Sequence, residues 1–240
     1  MAHVHELSAS YANFMLGPRP GPDVCADCFD LTDGGTRCYH CSHDGGWVDA
    51  MAPISYSIGG EQLNHALGGY KRYAEPAGRY LTAGLAAVLW RHVGDHEGCL
   101  VRAAGVDAFD VVTTVPSSDA GRDGTHPLHR LVGELVKPLA PRYERLLGRT
   151  DASVTAHQFS AERYAASRAL RGRAVLLIDD TWTTGANARS AAAALKAAGA
   201  ERVAVVAIGR YVNRGWSHND GQLRRLPRPF DWDRCALCGR

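Results

Sequence analysis

Ala174-Val175-Leu176-Leu177-Ile178-Asp179-Asp180-Thr181-Trp182-Thr183-Thr184-Gly185 decides the reading of this chain. The five apolar residues from Ala174, β-branched ones among them, suit a strand buried on both faces. Asn187 to Ala198, closed by Gly199, suits an Ala-rich helix with a glycine stop. The turn between them exposes backbone N–H groups at the positive end of the helix dipole, a seat for a phosphate dianion. Hydroxyls of Thr181, Thr183 and Thr184 add hydrogen bonds, and Gly185 lets the backbone approach closely. The adjacent carboxylates of Asp179 and Asp180 need cationic or hydroxylic partners, which a ribose and a Mg²⁺ ion would supply. The sequence therefore predicts a sugar-phosphate site. Paired aspartates at a strand end also build phosphoacceptor or metal sites on other doubly wound sheets, but those sites do not require Thr-Thr-Gly directly downstream.

Upstream and downstream of this stretch, strands and helices alternate. Phe109 to Pro116 reads as a strand entering the loop Ser117 to Gly124. A helix starting near Pro127 places Leu128, Leu131, Val132, Leu135 and Val136 on one face. Ala77 to His92 reads as a second amphipathic helix, with His92 on its packed face, and Arg202 to Ile208 as the last strand. The order strand, helix, strand, helix, strand, helix, strand implies right-handed crossovers. The predicted fold is α/β, a doubly wound, mostly parallel sheet with ligands at the strand carboxyl ends.

A chain of 240 residues, 45% hydrophobic and 22% charged, can bury one substantial core. No stretch is long and apolar enough to span a membrane. Met1 to Phe14 carries His3, His5 and Glu6 where a secretory signal would be basic and then apolar, so the expected location is the cytoplasm. A net charge of +2 does not describe a nucleic-acid footprint.

Seven cysteines include three C-x-x-C pairs: Cys25 with Cys28, Cys38 with Cys41, and Cys235 with Cys238. In a reducing compartment such pairs point to structural Zn²⁺, because two of them close a thiolate tetrahedron. Proximity favours Cys25, Cys28, Cys38 and Cys41, around an Asp33-Gly34-Gly35 turn, as in a zinc ribbon or knuckle. Three alternatives stay open for Cys235 and Cys238. They can replace one amino-terminal pair, bind a second metal with His40 or His43, or stay unligated; Cys99 is left over. The expected organisation is a zinc-binding segment over 1–46, an α/β domain over 47–212 and a tail over 213–240 that is irregular around Pro227 and Pro229.

The acidic doublet followed by Thr-Thr-Gly resembles the motif of type I phosphoribosyltransferases that binds phosphoribosyl pyrophosphate (PRPP). With the cysteine pairs added, most of residues 25 to 212 resembles the ComF family. The resemblance implies that Asp179 and Asp180 hold the ribose 2′- and 3′-hydroxyls. It also implies that Thr181, Trp182, Thr183, Thr184 and Gly185 wrap the 5′-phosphate, Trp182 at a variable position. Val115-Pro116-Ser117-Ser118 and Arg122 match the pyrophosphate region, Lys71 the lysine after the first helix, and Ala156 to Tyr164 the loop that closes over PRPP, with Arg163 as its catalytic cation. The chain departs from the family at Gly124-Thr125-His126-Pro127, where an Arg-Gly-Phe-Asn-like stretch is more common.

The implied activity is Mg²⁺-dependent transfer of the phosphoribosyl group from PRPP to a nitrogen nucleophile, with release of pyrophosphate, by a homodimer. The alternative is an accessory protein of DNA uptake that binds nucleotides with little turnover and has a DNA or competence-protein partner. The acceptor is not readable: Tyr211, Trp216, Phe230 and Trp232 can stack on a base, but core packing is the favoured role for them.

Overall fold

The computed structural model describes residues 2–117, 123–155, 157–216 and 218–238. Its centre is β5 (Ala174–Trp182), paired in parallel with β6 (Arg202–Val212) on one side and β2 (Val111–Thr114) on the other; β1 (Ala50–Ile58) lies outside β6. The sheet order is β1-β6-β5-β2, with every pair parallel. All nine residues of β1 and all four of β2 are buried, as parallel strands with both faces covered must be. Fully buried residues such as Leu176, Leu177, Val203 and Val205 each stabilise the fold by about 1.5–3 kcal/mol.

The predicted α/β class is what the structure shows, with element ends shifted. β5 runs on through the acidic doublet to Trp182, because Asp179 pairs with Ala207, Thr181 with Gly209 and Trp182 with Arg210 of an equally extended β6. The chain opens with α1 (Ala2–Ala9) and continues through α2 (Tyr39–Asp44) and α3 (Gln62–Arg72) to α4 (Ala77–Ala104). The last is 28 residues long and not the shorter helix expected from its first half. Its apolar face continues through Val93, Leu100 and Ala104 until Gly105, at φ 69°, ends it in the left-handed conformation. The helix expected from Pro127 is one α turn, α5 (Pro127–Arg130), followed by a wider helical turn over Leu131–Leu135 that still buries Leu131 and Val132. β5 is followed by α6 (Ala186–Ala197), and a short α7 (Asn219–Arg224) precedes the irregular carboxyl-terminal segment.

An antiparallel ribbon, β3 (Leu147–Arg149) with β4 (Tyr164–Ala166), carries the loop of Arg163 at its end. Three-residue strands of mixed composition leave no periodicity to detect. Cys25, Cys28, Phe29, Cys38 and Cys41 belong to the same core as β5 and β6, so the cysteine segment packs on the sheet. Phe230 is buried and Trp232 packs partly buried against the same core, whereas Trp216 is exposed. No helix is long and apolar enough to cross a membrane among the described residues.

Candidate functional site

Because β2 and β5 run parallel in register, with Thr114 beside Ile178, the residues that follow β2 lie beside the last residues of β5 and the turn after it. Val115, Pro116 and Ser117 thus meet Asp179, Asp180, Thr181 and Thr183 around a cavity of about 370 Å³, to which Lys71 from the end of α3 is added. A side recess of about 70 Å³ lies between Asp179, the Thr183-Thr184-Gly185 turn and the first residues of α6. Gly185 caps α6 at φ 81°, and a Cβ there would stand 2.3 Å from the Trp182 ring, so the turn requires glycine. The Thr184 hydroxyl accepts from the Ala186 N–H and donates to the His157 carbonyl, tying the turn to the loop on the ribbon. A larger cavity, about 510 Å³, opens between the cysteine segment, Trp182 and Arg189. The acidic pair, the lysine and the helix amino terminus converge on the smaller one.

The two carboxylates are electrically unlike. Asp180 accepts from the Tyr70 hydroxyl and pairs with Lys71 at 2.6 Å, and His126 Nε2 stands 3.9 Å away. Burial pushes its pKa up, but the Lys71 ammonium, with Tyr70 and His126, outweighs burial and holds it below the usual carboxylate range. Asp179 is pushed up to about 7, first by burial and then by the Asp180 charge. The doublet thus presents one carboxylate paired with Lys71 and one whose proton is held more tightly than an ordinary carboxyl's. Tyr70 goes well above its ordinary value, by burial and then the charge of Asp180, and stays a hydrogen-bond donor. Burial lowers the His126 pKa, and the Asp180 charge opposes this.

The remaining sequence candidates fall in different places. Ser118 and Arg122 lie outside the described residues. Arg163 is 4% exposed and donates through Nη2 to the carbonyls of Thr155 and Gln158, so it braces its own loop and is not on the wall of the acidic cavity. Trp182 turns away from that cavity: its ring is 2% exposed, packs under the Arg189 guanidinium and borders the larger cavity beside Cys28 and Cys41. Tyr70, Thr125, His126, His157 and Asn187 reach the doublet or line the cavity without having been assigned from sequence. Tyr70 adjoins Lys71, and Asn187 lies in the first turn of the helix after Gly185; those adjacencies were the available signal.

Cys25, Cys28, Cys38 and Cys41 bring their sulfurs within 4.8 Å of one another, with Cys28 and Cys38 at 3.7 Å. Four thiolates on Zn²⁺ form a doubly negative set, and two buried guanidiniums lie against this one: Arg189 Nη2 is 3.1 Å from Cys41 Sγ and Arg210 Nη2 is 3.9 Å from Cys28 Sγ. The donor set and its compensating charges are compatible with structural zinc. The same arginines hold the threonine turn, Arg189 donating to the Thr184 carbonyl at 2.7 Å and Arg210 to that of Thr183 at 2.9 Å. Cys235 and Cys238 join neither this cluster nor His40 and His43, correcting both alternatives raised from spacing; they lie beside His96 and Cys99, so Cys99 is not left over.

No family model and no curated protein matches the chain. Among solved structures it is similar to the allosteric regulatory enzyme of purine biosynthesis, at 24% identity and a TM-score of 0.33, over 59% of this chain and 30% of that one. The chain thus spans less than a third of that enzyme's length.

Proposed function

We propose that this protein is a Mg²⁺-dependent phosphoribosyltransferase that moves the 5-phosphoribosyl group of PRPP to a nitrogen nucleophile and releases pyrophosphate. The observation that carries this reading is the convergence of Asp179 and Asp180 with the Thr181–Gly185 turn and the α6 amino terminus on one cavity. The 5′-phosphate takes the recess at Thr183, Thr184 and Gly185, where first-turn N–H groups lack helical partners. The ribose hydroxyls donate to Asp179 and Asp180. Lys71 and the Pro116-Ser117 segment face the pyrophosphate side, and Arg163 shapes the loop that shields the sugar from water.

Asp179, lifted first by burial and then by the Asp180 charge, would with Asp180 hold a Mg²⁺ ion, which would supply charge neutralisation to the departing pyrophosphate. The carboxylates orient the ring and offset positive charge developing on it. Zn²⁺ is assigned to Cys25, Cys28, Cys38 and Cys41, where it stiffens the far side of the same turn.

Calorimetric titration with PRPP and Mg²⁺ tests the binding half, and pyrophosphate release with a panel of bases and amines tests the chemistry. Saturable binding and turnover, both lost in Asp180→Asn, are expected; no saturable binding overturns the reading. The inward-tied Arg163 favours a second reading, a nucleotide-binding accessory protein with little turnover. PRPP binding with no pyrophosphate release and salt-sensitive binding of single-stranded DNA would select it.

A further inference from the structure

We infer that His96, Cys99, Cys235 and Cys238 form a second structural zinc site that clasps the carboxyl-terminal segment to α4. His96 and Cys99 are three residues apart on α4 and so share a face, on which Cys235 and Cys238 close. Cys235 and Cys238 sulfurs are 3.4 Å apart, Cys99 and Cys238 sulfurs 3.7 Å, and His96 Nδ1 lies 3.6 Å from Cys238 Sγ. All four ligand atoms fall within 4.8 Å of one another. The edges of a zinc tetrahedron, given its Zn–S and Zn–N bond lengths, are about 3.4–3.8 Å. A disulfide needs about 2.05 Å.

The surroundings are arranged for a metal. His96 Nε2 lies 2.7 Å from the Trp232 carbonyl, which can only accept, so Nε2 carries the proton and Nδ1 turns its lone pair to the sulfurs. The sulfurs in turn accept hydrogen bonds: Leu237 N–H to Cys235, Cys235 N–H to Cys238, and Arg102 to Cys99, at 3.2–3.3 Å. Three thiolates and one imidazole form a closed set of the structural kind, and Arg102 lies against its net negative charge. The carboxyl-terminal segment is also held by burial of Phe230, Ala236 and Leu237, by Arg19 on Asp231 and on the Cys235 carbonyl, by the Phe230 N–H on the Ala12 carbonyl, and by the Trp232 ring 4.3 Å from the Arg91 guanidinium. With this site, all seven cysteines of the chain belong to one of two metal clusters.

Metal analysis of the full chain, purified without chelator, tests this directly. Two zinc ions per chain are expected, and X-ray absorption should give a combined shell of seven sulfurs and one nitrogen. Cys238→Ser should lower the count to one, and Cys238→His should restore two, since imidazole is also a ligand. One zinc in the native chain, an unchanged count in Cys238→Ser, or peptide mapping that joins Cys235 to Cys238 by a disulfide overturns the inference.

Discussion

At the scale of single residues, the proposed function gives Asp179 control over how the site meets PRPP. Its carboxyl ionises near 3.8 in an unfolded chain and near 7 in the folded one. The folded state therefore holds the extra proton over this interval, and the group's contribution to stability falls as pH rises from 3.8 to about 7, then stays level. Ligand binding runs the other way, because hydroxyl donors need the carboxylate. PRPP affinity, measured calorimetrically with Mg²⁺, should rise by up to about ten-fold per pH unit below neutrality and flatten above it. Asp179→Asn should remove that part of the slope; an identical slope in the variant would refute the assignment. Gly185→Ala is the second test, since it places a Cβ against the Trp182 ring at a positive φ. A loss of about 1–3 kcal/mol is expected, read as a melting temperature lower by several degrees.

At the scale of elements, the turn after β5 is held from both sides. Toward the cavity it meets the ribbon loop through Thr184 and the His157 carbonyl; behind it stand Arg189 and Arg210, reaching back to the cysteine cluster. Arg210 is 2% exposed, pairs with Asp30 at 2.8 Å and donates to the carbonyls of Cys28, Trp182, Thr183 and Tyr211. Arg210→Met leaves Asp30 and those carbonyls without their donor and should cost about 3–5 kcal/mol, seen as a lower urea midpoint at unchanged slope. Arg210→Lys should recover only part of this, because one ammonium cannot span the same acceptors. If Arg210→Met shifts the midpoint but leaves PRPP affinity intact, the link from the arginine to the turn is wrong.

At the scale of the whole molecule, the cysteine cluster, the sheet and the turn share one core, so loss of zinc from the cluster would not be a local event. Zinc binding to a set that needs deprotonated thiols is itself folding free energy. Chelation should lower the melting temperature and the affinity for PRPP together, and it should change the fluorescence of Trp182, which is buried beside Arg189. Unchanged melting after complete zinc removal would separate the cluster from the stability of the sheet. Continuity of the core also explains the length of α4, whose first half packs near α1 and α3 and whose second half covers the sheet and carries His96 and Cys99.

What the sequence alone determined is contiguous. The apolar run, the acidic doublet, the threonine turn and the helix beyond Gly185 follow one another in the chain, so strand periodicity, φ freedom and the helix dipole make them readable. The two amino-terminal C-x-x-C pairs were readable for the same reason, lying within 17 residues. Tertiary structure alone decided which side of the strand Trp182 occupies, that Arg163 turns into its own loop, and that Tyr70 and His126 reach Asp180. It also set Cys99 against Cys238, 139 residues further along the chain. Such pairings depend on where a 28-residue helix lies against the sheet and on the course of the chain after it, and no local spacing carries that information.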